Sequence, residues 1–242
     1  MKKVILFDLD GTLLPMNQDE FTKAYFHTLL KKLAQLGIPA QTQEEQKKLA
    51  SAVWSGTYAM MKNDGSCTNE ERFFLDFSTI LGVDFSYLKP QLDGFYQNEF
   101  NEVSAVCGRN PLVAKVISEL KGRGYRVAVA TNPLFPLRAN EARLSWAGLS
   151  LSDFEFCTCY ENSRYCKPKL EYYRGILSHL GVSGDECMMV GNDVREDMVA
   201  RELGMDVFLI TDYIINVENR DIDEFPHGTW EDFAKYMEME LI

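Results

Sequence analysis

Val4–Phe7 reads as a fully apolar strand, and nothing near it in the chain offers it a partner. A lone strand leaves its backbone N–H and C=O groups unpaired, so this one must join a sheet built from distant residues. From about residue 16 to residue 104 the apolar residues recur at helical spacing instead. Phe21, Tyr25, Thr28, Leu29, Leu33 and Leu36 form one stripe, stopped at Gly37-Ile-Pro39. Trp54, Tyr58 and Met61 form a second, broken at Asn63-Asp-Gly65. Phe73, Phe77, Ile80 and Leu81 form a third that ends at Gly82, and Leu88, Leu92, Phe95 and Tyr96 a fourth. Aromatic stripes of this kind are expected to make the core of a helical bundle.

Beyond residue 105 the texture changes to alternation. Helix is expected over Pro111–Lys121, strand over Tyr125–Ala130, helix over about Leu134–Trp146 and a short strand over Phe154–Cys159. Helix Leu170–Leu180, strand Cys187–Val190, helix Val194–Leu203 and strand Val207–Ile210 follow. Apolar strands alternating with amphipathic helices imply a parallel sheet covered on both faces. Val4–Phe7 belongs in that sheet. The expected architecture is therefore an α/β, Rossmann-like parallel core from residues 1–15 and 105–242, interrupted after its first strand by a helical-bundle cap over 16–104. An insertion at such a place is expected to act as a lid over the strand ends.

Composition narrows the partners. The 25 Lys+Arg against 36 Asp+Glu leave a net charge of −11, a field that disfavours nucleic acid and anionic membranes. A small anion would need a locally positive site. No apolar stretch approaches a membrane span, and Met1-Lys-Lys leads straight into the first strand instead of a signal peptide. The six cysteines, Cys67, Cys107, Cys157, Cys159, Cys166 and Cys187, lack zinc or haem spacing and are expected as reduced thiols of a cytoplasmic protein. His27, His179 and His227 are isolated in sequence and read as surface or packing residues.

Ligands of open α/β sheets bind beyond the carboxyl ends of the strands. Those ends here read Asp8-Leu-Asp10-Gly-Thr12, Thr131-Asn132 and Gly191-Asn-Asp193, with Asp197 a turn later and Lys167-Pro168 on a fourth loop. A strand gains nothing from adjacent carboxylates, which repel each other and resist desolvation. The set suits phosphoryl transfer through an aspartyl-phosphate. Asp8, fixed at its strand end, is the natural nucleophile, and Asp10 the general acid and later the base. Asp8 and Asp193 offer hard oxygens for Mg²⁺. Lys167 offsets charge on the nucleophile and phosphate, while Thr131 and Asn132 donate hydrogen bonds to phosphate oxygens.

These residues, in this order, resemble the four motifs of the haloacid dehalogenase (HAD) superfamily of hydrolases. The first is Asp8-Leu-Asp10-Gly-Thr12; the second is the strand ending at Thr131-Asn132. The third is Lys167 before Pro168, and the fourth is Gly191-Asn-Asp193-Val-Arg-Glu-Asp197. The resemblance implies Asp8 as nucleophile and Asp10 as acid/base. It implies Mg²⁺ held by Asp8, the backbone carbonyl of Asp10 and Asp193, with Asp197 in support. An insertion between the first and second motifs resembles the helical-cap subclass.

The expected activity is hydrolysis of a small phosphorylated metabolite. A phosphosugar mutase of the same family, or a non-catalytic module that keeps a phosphorylatable pocket, stand as alternatives; the retained Asp10 argues against the second. The dehalogenase and ion-pump branches are disfavoured because they resemble this sequence without an aspartate at the position of Asp10. The Lys62–Ser66 break either overhangs the mouth of the site or is a solvated turn, and its turn-forming residues favour the turn. Phe135, Arg138, Arg164 and Tyr165 are expected near the leaving group.

Overall fold

β1 (Val4–Phe7) finds parallel partners on both sides, each more than a hundred residues away: β2 (Arg126–Val129) and β3 (Cys187–Gly191). Ile5 lies opposite Val127 on one side and Met188 on the other. β4 (Asp206–Ile210) and the short β5 (His227–Gly228) extend the sheet to the order β2-β1-β3-β4-β5, all parallel. The structure is a computed structural model that describes residues 4–238. Met1–Lys3 and the last four residues of the expected core lie outside the described residues.

The pleat sends alternate side chains into two apolar layers. Ile5, Phe7, Val127, Val129, Met188 and Val190 enter one, together with α5 (Pro111–Gly122) and α8 (Trp230–Tyr236). Val4, Leu6, Ala128 and Met189 enter the other, under α7 (Leu170–Leu180). Burial on both faces explains why the strands read as unbroken apolar runs. α6 (Leu137–Ala147) completes the set between β2 and the loop that carries Lys167.

Between β1 and β2 run α1 (Gln18–Gln35), α2 (Gln43–Met61), α3 (Asn69–Leu81) and α4 (Lys89–Gln97). Thr42 with Glu45, and Thr68 with Glu71, form reciprocal capping boxes that start α2 and α3. The chain leaves the sheet at Pro15–Met16 and returns at Cys107–Gly108. These two crossings pair with each other: Met16 bridges Cys107 in antiparallel fashion, and the Gly108 N–H donates to the Pro15 carbonyl at 2.6 Å. Among the described residues no helix is long and apolar enough to cross a membrane.

Three expectations are corrected. Phe154–Cys159 lies along the outer edge of β2, bonding Val127 and Val129, yet forms only an isolated bridge at Cys157. Asn162 draws the Cys157 carbonyl and the Cys159 N–H into a closed turn, which ends the pairing. Val194–Leu203 is not an α-helix; a 3₁₀ turn covers Met198–Leu203, and Asp193 accepts the N–H groups of Arg195 and Glu196 ahead of it. Trp54, Tyr58 and Met61 do not form the core face of α2; Leu49, Ala52, Val53, Gly56 and Met60 do. A Cβ on Gly56 would sit 2.8 Å from the Phe73 ring, so α2 and α3 approach through small residues and the large ones turn outward.

Candidate active site

Asp8 continues β1 without a break, its N–H donating to the Val190 carbonyl of β3. The next residues turn sharply: Leu14 N–H returns to the Leu9 carbonyl, and Gly11 N–H to the Leu14 carbonyl. Gly11 takes φ +84°, and a Cβ there would meet the Asn192 amide at 2.3 Å. Asn192 in turn accepts from the Thr12 hydroxyl and donates to the Tyr213 carbonyl. The first and fourth motifs are thereby locked edge to edge.

Lys167 joins the groups that the sequence separates most. Its ammonium donates to Asp8 Oδ1 at 2.8 Å and to Asp197 Oδ1 at 2.6 Å, and all three side chains are almost fully buried. Burial works against the Lys167 charge, yet Asp197 and Asp8 hold its ammonium well above the usual lysine range. Burial likewise raises the Asp197 carboxyl, with Lys167 opposing. The other Asp197 oxygen accepts the Asp193 N–H at 2.9 Å, so Asp197 ties Lys167 to the β3 loop. Asp193 uses Oδ1 for the N–H groups of Arg195 and Glu196, both at 2.8 Å. Burial pushes the Asp193 carboxyl up as well, and the charge of Asp8 adds to this.

Thr131 and Asn132 follow β2 onto the same rim. Thr131 is buried, and its carbonyl accepts from the hydroxyls of Thr158 and Tyr172. The Asn132 amide donates to Glu196 at 2.9 Å, while its Oδ1 is buried without a partner. Burial pushes the Glu196 carboxyl up to about 8, beside Lys167 and the aspartates. Tyr173 donates to the Glu196 carbonyl at 2.6 Å. Two adjacent tyrosines of α7 thus brace two of the site loops.

Asp10 brings in a residue that the sequence reading missed. Its Oδ2 accepts from Arg143 of α6, whose guanidinium also donates to Asn140 Oδ1. Arg143 is fully buried and lies 4.2 Å from the Phe135 ring centre, a cation–π arrangement. Asp10 Oδ1 is buried and unpartnered. Burial raises the Asp10 carboxyl, with Arg143 opposing and the charge of Asp8 adding. Nothing in the stretch Leu137–Ala147 marks Arg143 as internal. The signal lies only in Asp10, which needs a counter-charge that the neighbouring motifs do not supply.

The remaining candidates divide. Phe135 sits against Arg143. Arg138 is exposed and paired with Glu141. Arg164 and Tyr165 instead hold the Lys62–Ser66 segment, bonding the carbonyls of Gly65, Ser66 and Asp64. Lys169 adds a bond to the Asn63 carbonyl at 2.6 Å, and the buried Asn63 amide donates to Asn69. The segment is therefore docked on the loop that carries Lys167, not a freely solvated turn.

A strand-end cluster of four carboxylates, one buried lysine and a paired Thr-Asn is the arrangement of a haloacid dehalogenase-like hydrolase. The model of that family matches residues 2–204, and the chain belongs to it. Two curated relatives are phosphatases, each named glyceraldehyde 3-phosphate phosphatase. That of Methanothermobacter thermautotrophicus is 26% identical over 226 residues, covering 93% of this chain and 92% of the relative. That of Methanocaldococcus jannaschii is 27% identical, covering 93% and 90%. Among solved structures, a HAD phosphatase from Thermococcus onnurineus shares the fold over the full length of both chains, with TM-score 0.60 at 20% identity. CbbY from Rhodobacter sphaeroides, in complex with phosphate, shares it with TM-score 0.54 at 20% identity, over 94% of this chain and 93% of that one. By family and by these relatives the protein is a hydrolase of phosphoric monoesters.

Proposed function

We propose that the protein hydrolyses a small phosphorylated metabolite through an aspartyl-phosphate on Asp8, with residues 16–104 serving as a cap over the site. The observation that carries the reading is the Lys167 bridge between Asp8 and Asp197, next to an Asp10 with one buried oxygen left unpartnered. A structural ion pair would need one carboxylate. Here Asp8 and Asp197 share one lysine, Asp10 has Arg143, and Asp193 stands close by, so the surplus negative charge calls for a cation.

The donor set fits Mg²⁺. Asp8 and Asp193 end adjacent strands, Asp193 has one oxygen committed to the backbone, and burial raises its carboxyl despite the opposing backbone N–H groups and Lys167. Among the described residues no three His, Cys, Asp or Glu side chains are placed to hold a metal ion by themselves; Mg²⁺ needs few protein ligands and keeps several waters. Asp8, Asp193 and the Asp10 carbonyl would hold it, and Mg²⁺ bound there supplies positive charge to the phosphoryl oxygens.

In the first half-reaction the Asp8 carboxylate attacks phosphorus, the bond from phosphorus to the leaving oxygen breaks, and Asp10 gives that oxygen its proton. Burial, which raises the Asp10 carboxyl, favours the protonated form this step requires. Thr131 and Asn132 donate to the phosphoryl oxygens while Lys167 holds Asp8 in line. In the second half-reaction Asp10 takes a proton from water, the water oxygen bonds phosphorus, and Asp8 is released with phosphate. The glyceraldehyde 3-phosphate named for the relatives is the first substrate to assay.

Acid-quenched intact-protein mass spectrometry tests the assignment. Asp10→Asn given an aryl phosphate should accumulate a phosphate adduct, because a good leaving group needs no acid. Asp8→Asn should show none. General-acid loss costs about 10²–10⁴-fold, so the Asp10→Asn penalty should shrink as the leaving group improves. A phosphate adduct on Asp8→Asn would overturn the reading.

A further inference from the structure

An aromatic-walled cavity lies not over the aspartates but between α1, α2, α3 and the segment just before α6, with a volume of about 180 Å³. Its walls include Phe21, Tyr25, Trp54, Phe77 and Phe135, and no charged residue lines it. Three of the hydroxyls that line it are engaged within the protein, leaving Thr22, Tyr160 and the Gln18 amide as its other polar groups. Tyr25 and Tyr96 bond each other at 2.9 Å, and Thr57 donates to the Val53 carbonyl at 2.9 Å. A polyhydroxylated guest would thus find fewer partners among these aromatic walls than it loses in water, at a cost for every unmatched hydroxyl.

Position connects this cavity to the chemistry. Leu134 and Phe135 form its inner wall directly after Asn132, the Leu134 N–H donating to the Asn132 carbonyl at 2.8 Å. Phe135 and Phe21 both face the Arg143 guanidinium, whose other end holds Asp10. The cavity therefore begins one side chain away from the carboxyl that serves the leaving group. Trp54, 52% exposed and stacked on Phe26 at 4.4 Å, stands at its outer rim.

Resting on the phosphatase reading above, we infer that this cavity receives the leaving-group portion of the substrate, and that this portion is an apolar ring or branched alkyl group and not a polyol. Apolar cavities of about 150 Å³ stay dry and take up a benzene-sized molecule, so the space suits one such group. The ester is then a phosphorylated alcohol whose carbon skeleton is largely hydrocarbon. Phosphate binds at the charged strand ends, and the skeleton reaches past Arg143 into the cap.

Two alkyl phosphates of similar leaving-group acidity separate this from the alternatives: 2-phenylethyl phosphate and glycerol 3-phosphate, assayed with Mg²⁺. Burying a phenyl group predicts kcat/KM higher for the first on the order of thirtyfold. Thr57→Phe, which fills the cavity, and Trp54→Ala, which removes a half-exposed wall and leaves folding intact, should each collapse that ratio about tenfold. A second readout needs no turnover: 2-phenylethanol should quench the protein fluorescence saturably, and Trp54→Phe should remove that response. Equal or better turnover of glycerol 3-phosphate would overturn the inference and leave the phosphatase reading standing. Saturable alcohol binding with no turnover of any ester, para-nitrophenyl phosphate included, would keep the apolar pocket and overturn the phosphatase reading. No turnover and no alcohol binding would overturn both.

Discussion

Gly11 offers a test in which the structure supplies its own control. The turn after Asp10 holds Gly11 at φ +84°, and an added Cβ would lie 2.3 Å from Asn192 Nδ2, 3.1 Å from Asn192 Cγ and 3.4 Å from Tyr213 Cβ. Gly37, after α1, has nearly the same φ, +90°, with nothing within 4 Å of its Cβ position. Gly37→Ala should therefore cost only the left-handed strain, about 1 kcal/mol. Gly11→Ala pays that strain and must also displace Asn192, breaking its bonds to the Thr12 hydroxyl and the Tyr213 carbonyl. Two buried hydrogen bonds at about 1 kcal/mol each, with overpacking on top, bring the expected loss to about 3–4 kcal/mol. For a chain of this size that is a fall in Tm of about 8–12 °C, against about 2–4 °C for Gly37→Ala. Thermal unfolding followed by circular dichroism measures both. Equal shifts would refute the claim that close approach between the first and fourth motifs is what demands glycine at position 11.

Exhaustive EDTA dialysis should abolish turnover, Mg²⁺ should restore it and Ca²⁺ should not, since Ca²⁺ prefers more ligands and looser geometry; full activity after dialysis would end the metal assignment. Arg143→Met should lower kcat about tenfold to a hundredfold with little change in KM, because Asp10 loses the group that orients it. Arg143→Lys should recover only part, as a point charge cannot serve Asp10, Asn140 and the Phe135 ring together; wild-type kcat in Arg143→Met would remove the positioning role. The Thr229 hydroxyl holds the Asp232 carboxyl down, from 3.8 to about 2. A depressed carboxyl contributes stability that is present above its unfolded value and lost as pH falls, here between about 4 and 2. Asp232→Asn should flatten that part of the Tm–pH curve, and an unchanged curve would count against the Thr229–Asp232 pair that starts α8. Arg164→Ala, which frees the Gly65 and Ser66 carbonyls, should speed limited proteolysis between Lys62 and Cys67, and equal cleavage rates would show that the docked loop is held elsewhere.

How much of this was legible in the sequence depended on the distance over which each residue is satisfied. The strand ends were readable because an apolar run that stops at Asp8 and Asp10 has no local justification, and because Asp193 and Asp197 lie close together in one turn. Arg143 was not readable: it looks like any arginine of an amphipathic helix, and its partner Asp10 is 133 residues away. The Lys62–Ser66 segment has turn composition, and its docking depends on Arg164, Tyr165 and Lys169, about a hundred residues further on. Periodicity found helix at Trp54–Met61, the last turns of α2, yet chose the wrong face, because Gly56, not Trp54, decides how near α3 can come. The helix expected at Val194–Leu203 gave way to a 3₁₀ turn over Met198–Leu203, a difference in hydrogen-bond register that apolar periodicity does not resolve.

The paired crossings at Pro15–Met16 and Cys107–Gly108 bear on how such a protein can change over evolutionary time. A segment attached at two adjacent, mutually bonded points can be lengthened, shortened or exchanged without shifting β1 against β2 and β3. The residues proposed to handle phosphorus hang from those strands, whereas most walls of the apolar cavity hang from the segment between the crossings. Mutation can therefore search new carbon skeletons while the phosphoryl machinery stays fixed. Only residues touching both parts, such as Phe135 and Arg143, must satisfy two demands at once, and that is where variation should be least tolerated.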